Sequence, residues 1–340
     1  VRGAGRRLLR LGLAVSVAAA LLAAVGTAVG WREIGAVLAT LDGRLAALAL
    51  SLVILTRAAE TLQMTWILRR SGLAVGPGRV LLAKSLGALY TLVLPGELMG
   101  GMAKWSSLAA STGQGSASLQ GVVYNRAVLL CAEASLGLVA LLLRPPWSSP
   151  WASAAVAGFA ALVLATLALV YHPRSGSRLD GRLLTLADRW LPAAARRRAH
   201  RLAAAAAPFR AFAGRRHLGF YLAACGIVAL RCLVLVTWSR SLGLAVPWLV
   251  LVWLKALLGF LRQLPVTVGG LGVRESAFVL LLAPFGVLPE QAFALGLLAF
   301  AGSLVLVATG LVGQALVALG VVRWRGAPAA PSGSAGGEEG

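Results

Sequence analysis

Acidic side chains are scarce: the 340 residues hold 11 Asp and Glu against 32 Lys and Arg, and only 13% of the chain is charged. No soluble domain keeps 59% of its residues hydrophobic behind so thin a charged surface. Cysteine is scarcer, and Cys131, Cys225 and Cys232 all lie inside apolar runs, which excludes a disulfide framework. The three histidines, His172, His200 and His217, share one basic segment without metal-ligand spacing, so no metal site is expected and no cofactor is called for. Lysine is the rarest cation, with Lys84, Lys104 and Lys255 standing against 29 arginines.

Apolar sequence is what the chain has in abundance. Runs of about 20 nearly uncharged residues recur from Leu8 to Val321, each long enough to cross a hydrocarbon core of roughly 30 Å. The expected fold is therefore an all-α polytopic membrane protein. Its cations cluster between the apolar runs, where they orient helices by the positive-inside rule rather than bind nucleic acid.

Residues 1–30 are expected to form an uncleaved first transmembrane helix, because the run from Leu11 to Val29 exceeds the roughly 7 to 15 residues of a signal-peptide core. Further spans are expected at about Leu45–Leu68, Gln120–Leu143, Trp151–Tyr171, Leu218–Arg240 and Gln291–Val321. Two apolar runs are too short to cross. Val80–Leu94 reaches only about 22 Å as a helix and stops at Pro95 and Gly96, and Trp248–Leu264 stops at Pro265 before Gly269, Gly270 and Gly272. Each is followed by another short helical stretch, so the regions near 80–110 and 248–283 read as re-entrant hairpins, with Gly100 and Gly101 among the breaks of the first. The total is about six full transmembrane helices plus two hairpins.

Loop charge orients this arrangement. Arg69, Arg70 and Arg79, eleven arginines between Arg174 and Arg216, and Arg323 with Arg325 fall on one side. The other side carries Arg32, Glu33, Asp42 and Arg44 in a loop, then Arg144 and Glu290, which nearly cancel. The cation-rich side is cytoplasmic, as are both termini, in a multi-pass protein of the cytoplasmic membrane. Trp66 with Ser71-Gly72-Leu73-Ala74-Val75 resembles Trp238 with Leu242-Gly243-Leu244-Ala245-Val246, and Lys84, Leu94-Pro95, Gly100-Gly101 and Lys104 answer to Lys255, Leu264-Pro265, Gly269-Gly270 and Arg274. Two like halves of opposite orientation make an inverted repeat, a transporter architecture. Residues 31–171 form the first half with an additional helix at 151–171, residues 172–216 a basic cytoplasmic linker, residues 217–322 the second half, and residues 323–340 a disordered tail.

Ionisable groups within the spans mark functional candidates, since each costs at least about 2.5 to 3.5 kcal/mol at the bilayer centre. Arg57 and Arg231 sit near the midpoints of their helices, Glu60 lies one turn from Arg57, and Glu133 lies two turns after Arg126. The hairpins add Lys84, Glu97, Lys104, Lys255, Arg262, Arg274 and Glu275. With Arg240 included, nine cations outnumber four carboxylates by five, an excess that a polar cavity or an anionic ligand must offset. Lys104, Arg126, Arg240 and Arg262 lie near helix ends, where snorkelling to headgroups is an alternative. Glu97 and Glu275 read equally as proton or cation sites and as salt-bridge partners of Lys104 and Arg274. The expected substrate-binding set is Arg57, Lys84, Glu97, Lys104, Arg126, Arg231, Lys255, Arg274 and Glu275, with no catalytic residue.

The stretch Leu264-Pro265-Val266-Thr267-Val268-Gly269-Gly270-Leu271-Gly272-Val273-Arg274-Glu275, with Phe285-Gly286-Val287 and Gln291-Ala292 after it, resembles a signature of the lysylphosphatidylglycerol synthase transmembrane domain family, also called flippase-like domain proteins. Leu94-Pro95-Gly96-Glu97-Leu98-Met99-Gly100-Gly101 with Lys104 is similar to the family's first signature, and Asn125-Arg126 resembles its Glu-Arg pair. The likeness spans roughly Leu8 to Val321. It implies lipid flipping as the activity, without the soluble aminoacyl-transferase domain of the lipid-modifying members, for which the chain beyond the last helix has no room. Where the family often carries an arginine in the last helix, this chain has Leu298-Ala299-Phe300.

Three functions follow for testing. The first is a translocase for a lipid with an anionic or phosphate-bearing headgroup, which is not an enzyme and needs no cofactor. The second is an integral membrane transferase acting on a lipid-linked substrate, although neither a metal-spaced acidic pair nor a nucleophile beside a histidine is present. The third is a non-transporting subunit whose basic linker docks a lipid-modifying enzyme.

Overall fold

Asp42 starts the first long helix by accepting from the backbone N–H groups of Arg44 at 2.8 Å and Leu45 at 3.2 Å, two of the donors a helix start leaves open. The computed structural model describes residues 31–93, 97–144, 215–261 and 273–318, with a few isolated positions between 154 and 185. Its helices are α1 (Trp31–Ala39), α2 (Gly43–Arg70), α3 (Pro77–Val93), α4 (Glu97–Thr112), α5 (Gly115–Leu143), α6 (Arg215–Ser241), α7 (Trp248–Leu261), α8 (Val273–Leu282) and α9 (Pro289–Ala318). One 3-10 turn, Ala283–Phe285, links α8 to α9, and no strand occurs among the described residues. Gly43–Arg70, Gly115–Leu143, His217–Ser241 and Pro289–Thr309 are long and apolar enough to cross a membrane. The chain is an all-helical, multi-pass membrane protein.

The long helices match the expected spans to within a few residues. The expected helices at 1–30 and 151–171, the linker at 172–216, the tail at 323–340, and Pro95, Arg262, Pro265, Gly269, Gly270 and Gly272 lie outside the described residues, apart from isolated positions. Two expectations are corrected. The segment taken as a loop around Arg32 and Glu33 is helix α1, whose Ile34 is buried while Val37 and Leu38 pack on the main core. Its Ile34, Val37, Leu38 and Leu41 already stand at helical spacing. Gly100 and Gly101 are not breaks: both lie inside α4, which starts at Glu97. Gly100 serves a different need, since a Cβ there would come within 2.5 Å of the Gly87 carbonyl oxygen and overlap Thr91. The absence of side chains lets the backbones of α3 and α4 approach closely, the use membrane helices make of small residues.

Helices α2 and α6 run antiparallel along each other. The N–H of Asp42, at the start of α2, donates to the carbonyl of Ser241, at the end of α6 (2.9 Å). Toward the other ends, Trp66 meets Phe220 edge to face at 4.4 Å, and Phe220 meets Tyr124 of α5 at 5.9 Å. Both helices end in the same turn. Gly72 and Gly243 adopt φ of +84° and +70°, a region glycine enters without penalty. Leu73 N–H donates to Leu68 O at 3.1 Å and Leu244 N–H to Ser239 O at 3.0 Å, the long bond of a Schellman cap. Leu73 and Val75, like Leu244 and Val246, then turn inward and are buried.

Order and packing also repeat. Helices of 28, 17, 16 and 29 residues are followed by helices of 27, 14, 10 and 30. The short helix α3 packs on α9, and α7 packs on α5, so each short helix leans on the last long helix of the other set. Ser85 of α3 meets Thr309 of α9 hydroxyl to hydroxyl at 3.2 Å. On the opposite pair, Gly137 of α5 leaves room for Ala256 of α7.

Candidate functional site

Glu60 is the centre of the buried charge. It lies beyond the middle of α2, 4% exposed, and three cations from three helices converge on its carboxylate. Arg57, one turn earlier on α2, donates from Nη1 at 3.2 Å to Oε2. Lys84 of α3 donates from Nζ at 2.8 Å to the same oxygen. Arg231 of α6 takes Oε1, with Nε at 2.9 Å and Nη2 at 2.7 Å. Arg231 then turns its remaining Nη1 to Glu133 of α5 at 2.6 Å. A guanidinium suits this bridge because its donors diverge in one fixed plane.

The surroundings hold these groups in place. Arg57 also donates from Nη2 to the Gly302 carbonyl of α9 at 3.4 Å, tying α2 to the last helix. Glu133 lies against Gly259 of α7, where a Cβ would stand 2.5 Å from its Oε2. Lys104 of α4 runs across Gly87 of α3, where a Cβ would be 3.1 Å from its Cε, and lies in electrostatic range of Glu60 and Lys84. Lys104 thus turns inward, which replaces the snorkelling alternative for that residue. Arg240, by contrast, is exposed.

A second charged pair stands at the start of α8. Arg274 donates to Oε1 of Glu275 from Nε at 3.0 Å and from Nη2 as well. Glu275 is fully buried, facing Gly296 of α9. The Arg274 guanidinium lies 4.9 Å above the ring of Phe300, a cation–π arrangement. Glu275 is therefore the salt-bridge partner of Arg274, one of the two roles expected for it. Phe300, in the segment where the family resemblance leads one to expect an arginine, supplies an aromatic face to Arg274.

Of the expected binding residues, the structure brings Arg57, Lys84, Lys104 and Arg231 together around Glu60. Arg274 and Glu275 form the separate pair. Lys255 is half-buried on α7 within electrostatic range of Cys232, the neighbour of Arg231, and Arg126 is half-buried on α5 two turns before Glu133. The side chain of Glu97 lies outside the described residues. The pairwise charge count gives way to shared carboxylates: three cations use Glu60 and one of them also uses Glu133. Glu60 and Glu133, read from sequence as buried charges but not as binding residues, are the hubs. Gly87 and Gly259 were not singled out at all, although each stands within about one turn after a lysine, which is the signal that marks them.

Residues 9–324 match the family model described as lysylphosphatidylglycerol synthase TM region, nearly the whole chain. No curated protein and no solved structure is similar enough to count as a match.

Proposed function

We propose, from the premise that the chain belongs to the lysylphosphatidylglycerol synthase TM region family, that it translocates a lipid with an anionic or phosphate-bearing headgroup across the cytoplasmic membrane. Membership makes it an integral membrane protein of lipid-related function. The finer reading treats α2–α5 and α6–α9 as inverted halves, each containing a re-entrant hairpin, α3–α4 and α7–α8. The matched helix lengths, the matching Schellman turns after α2 and α6, and the crossed packing of α3 on α9 and α7 on α5 support it.

The observation that carries the function is the charge cluster between the halves. Four cations, Arg57, Lys84, Lys104 and Arg231, gather where, among the described side chains, Glu60 and Glu133 supply two charges of the opposite sign. In a low-dielectric surrounding an anionic headgroup is the natural counterpart. Because Arg231 of one half binds carboxylates of the other, a headgroup that competes with Glu60 or Glu133 for Arg231 loosens the contact between halves. Such differential binding is what an alternating-access cycle needs.

The test is lipid scrambling by the purified protein in liposomes, followed with fluorescent lipids and an impermeant quencher. Flipping above the protein-free rate, lost in Glu60→Gln and Arg231→Ala proteins that still reconstitute, is the expected result. A rate equal to that of empty liposomes for every anionic lipid defeats the reading.

A further inference from the structure

Among the described side chains, the side of Glu60 that faces α3 and α4 gathers more positive than negative charge. Arg57, Lys84 and Arg231 already bond Glu60. Lys104 reaches the same place by passing over Gly87, close enough to feel both Glu60 and Lys84. Among the described side chains, which do not include that of Glu97, no carboxylate lies within ion-pair distance of Lys104. Arg57 Nε is likewise buried without a hydrogen-bond partner. With Glu60 and Glu133 each offsetting one charge, two of the four cations remain uncompensated within the cluster. Two of the chain's three lysines meet here, and a lysine is a compact point charge suited to phosphate oxygens, beside an arginine with an open donor.

We infer that this cluster selects a phosphomonoester headgroup, dianionic and terminal, over a phosphodiester. The inference rests on the reading of the chain as a lipid translocase and names its substrate class. A phosphomonoester carries about −1.5 to −2 charge near pH 7 and presents three acceptor oxygens. A phosphodiester carries a single charge and has two free oxygens. Only the former matches two surplus cations, and its three oxygens suit the three donors of Lys84, Lys104 and Arg57. Glu60 sets the distinction: it consumes enough positive charge that a monoanion is not over-bound, and it leaves a remainder that a dianion neutralises.

Thermal melts of the detergent-purified protein with phosphatidic acid, phosphatidylglycerol of the same acyl chains, and inorganic phosphate test this. Phosphatidic acid is expected to raise Tm more than phosphatidylglycerol, by the amount that corresponds to about tenfold tighter binding. Lys104→Met should abolish the difference between the two lipids, and Lys104→Arg, which keeps the charge, should retain most of it. Equal shifts for the two lipids overturn the inference, as does a Lys104→Met protein that keeps the full preference. An equal shift with inorganic phosphate alone assigns the cluster to the free ion and overturns the lipid substrate. The same lipids, labelled in liposomes, separate this inference from the function beneath it. Selective binding of phosphatidic acid with no movement of either lipid defeats translocation and leaves the site standing. Movement of both lipids at equal rates defeats the selectivity and leaves translocation standing.

Discussion

Arg231 of α6 bonds Glu133 of α5 at 2.6 Å with one arm of its guanidinium while the other arm and Nε hold Glu60 of α2. One side chain thus bonds two buried carboxylates on two helices. Removing a single partner from a buried ion pair costs about 3 to 5 kcal/mol, because the charge left behind has no water to turn to. Arg231→Ala is therefore expected to lower the detergent Tm more than any other single cation replacement in the cluster. Arg231→Lys should recover only part of the loss, since one ammonium cannot span both acids. Adding Glu133→Gln to Arg231→Ala should restore stability by removing one stranded charge, and a double variant as unstable as the single would show the pair to be uncoupled.

Glu60 and Glu133 differ in how many cations depend on them. Glu60→Gln strands Arg57 and Lys84 and weakens the hold on Arg231, whereas Glu133→Gln loosens the bond to Arg231. The expected order of destabilisation in melts is Glu60→Gln well above Glu133→Gln. The reverse order would place the hub elsewhere.

The glycines give a graded test of packing. Gly100→Ala drives a methyl group into backbone, the Gly87 carbonyl, which cannot move without separating α3 from α4. A loss of about 1 to 3 kcal/mol, the usual cost of overpacking, is expected. Gly259→Ala meets first the carboxylate end of the Glu133 side chain rather than backbone. It should cost less stability yet disturb the Arg231 bond and slow transport. Gly101→Ala meets nothing within 4 Å and should be neutral or stabilising by about 0.5 to 1 kcal/mol, as for glycine within a helix. Equal effects at Gly100 and Gly101 would contradict the close approach of the two helices.

Phe300→Leu keeps apolar volume and removes the ring beneath Arg274. A loss of about 0.5 to 2 kcal/mol, the range for cation–π contacts, is the expected outcome in a melt. Phe300→Arg should be worse, because it sets two cations together.

Orientation is open to direct labelling. In a protein without its native cysteines, single cysteines at Asp42 and Leu288 should react with an impermeant reagent from outside intact cells, and one at Gly113 should not. Asp42 is joined to the buried Ser241 by a hydrogen bond, so reaction at Asp42 also places the end of α6 on the outer side. Reaction at Gly113 from outside would reverse the assignment drawn from loop charge.

Much of this was legible in the chain because membrane helices announce themselves by length and apolarity. The spans through Arg57, Glu133 and Arg231 fall where the apolar runs place them, and the pairing of Arg57 with Glu60 follows from one-turn spacing. The turns at Gly72 and Gly243 match because the two short sequences match. The bridge from Arg231 to Glu133 spans 98 positions, and no local rule brings such residues together. Gly100 looks like a helix breaker in a one-dimensional reading and Gly87 draws no notice there, since what they accommodate, a neighbouring backbone, is visible only in three dimensions. Counting charges in pairs also failed at Glu60, because a carboxylate has room for several donors at once.

The bridge has a consequence for biosynthesis. Glu133 enters the membrane well before Arg231 has been translated, and at roughly 5 to 20 residues per second the interval is about 5 to 20 seconds. Through that time the ribosome-bound first half carries an acid whose partner does not yet exist. It must wait beside the insertion machinery, or at a watery seam, until α6 arrives to complete it. Expressed alone, residues 31–171 should be prone to degradation, and co-expressed residues 172–322 should rescue them.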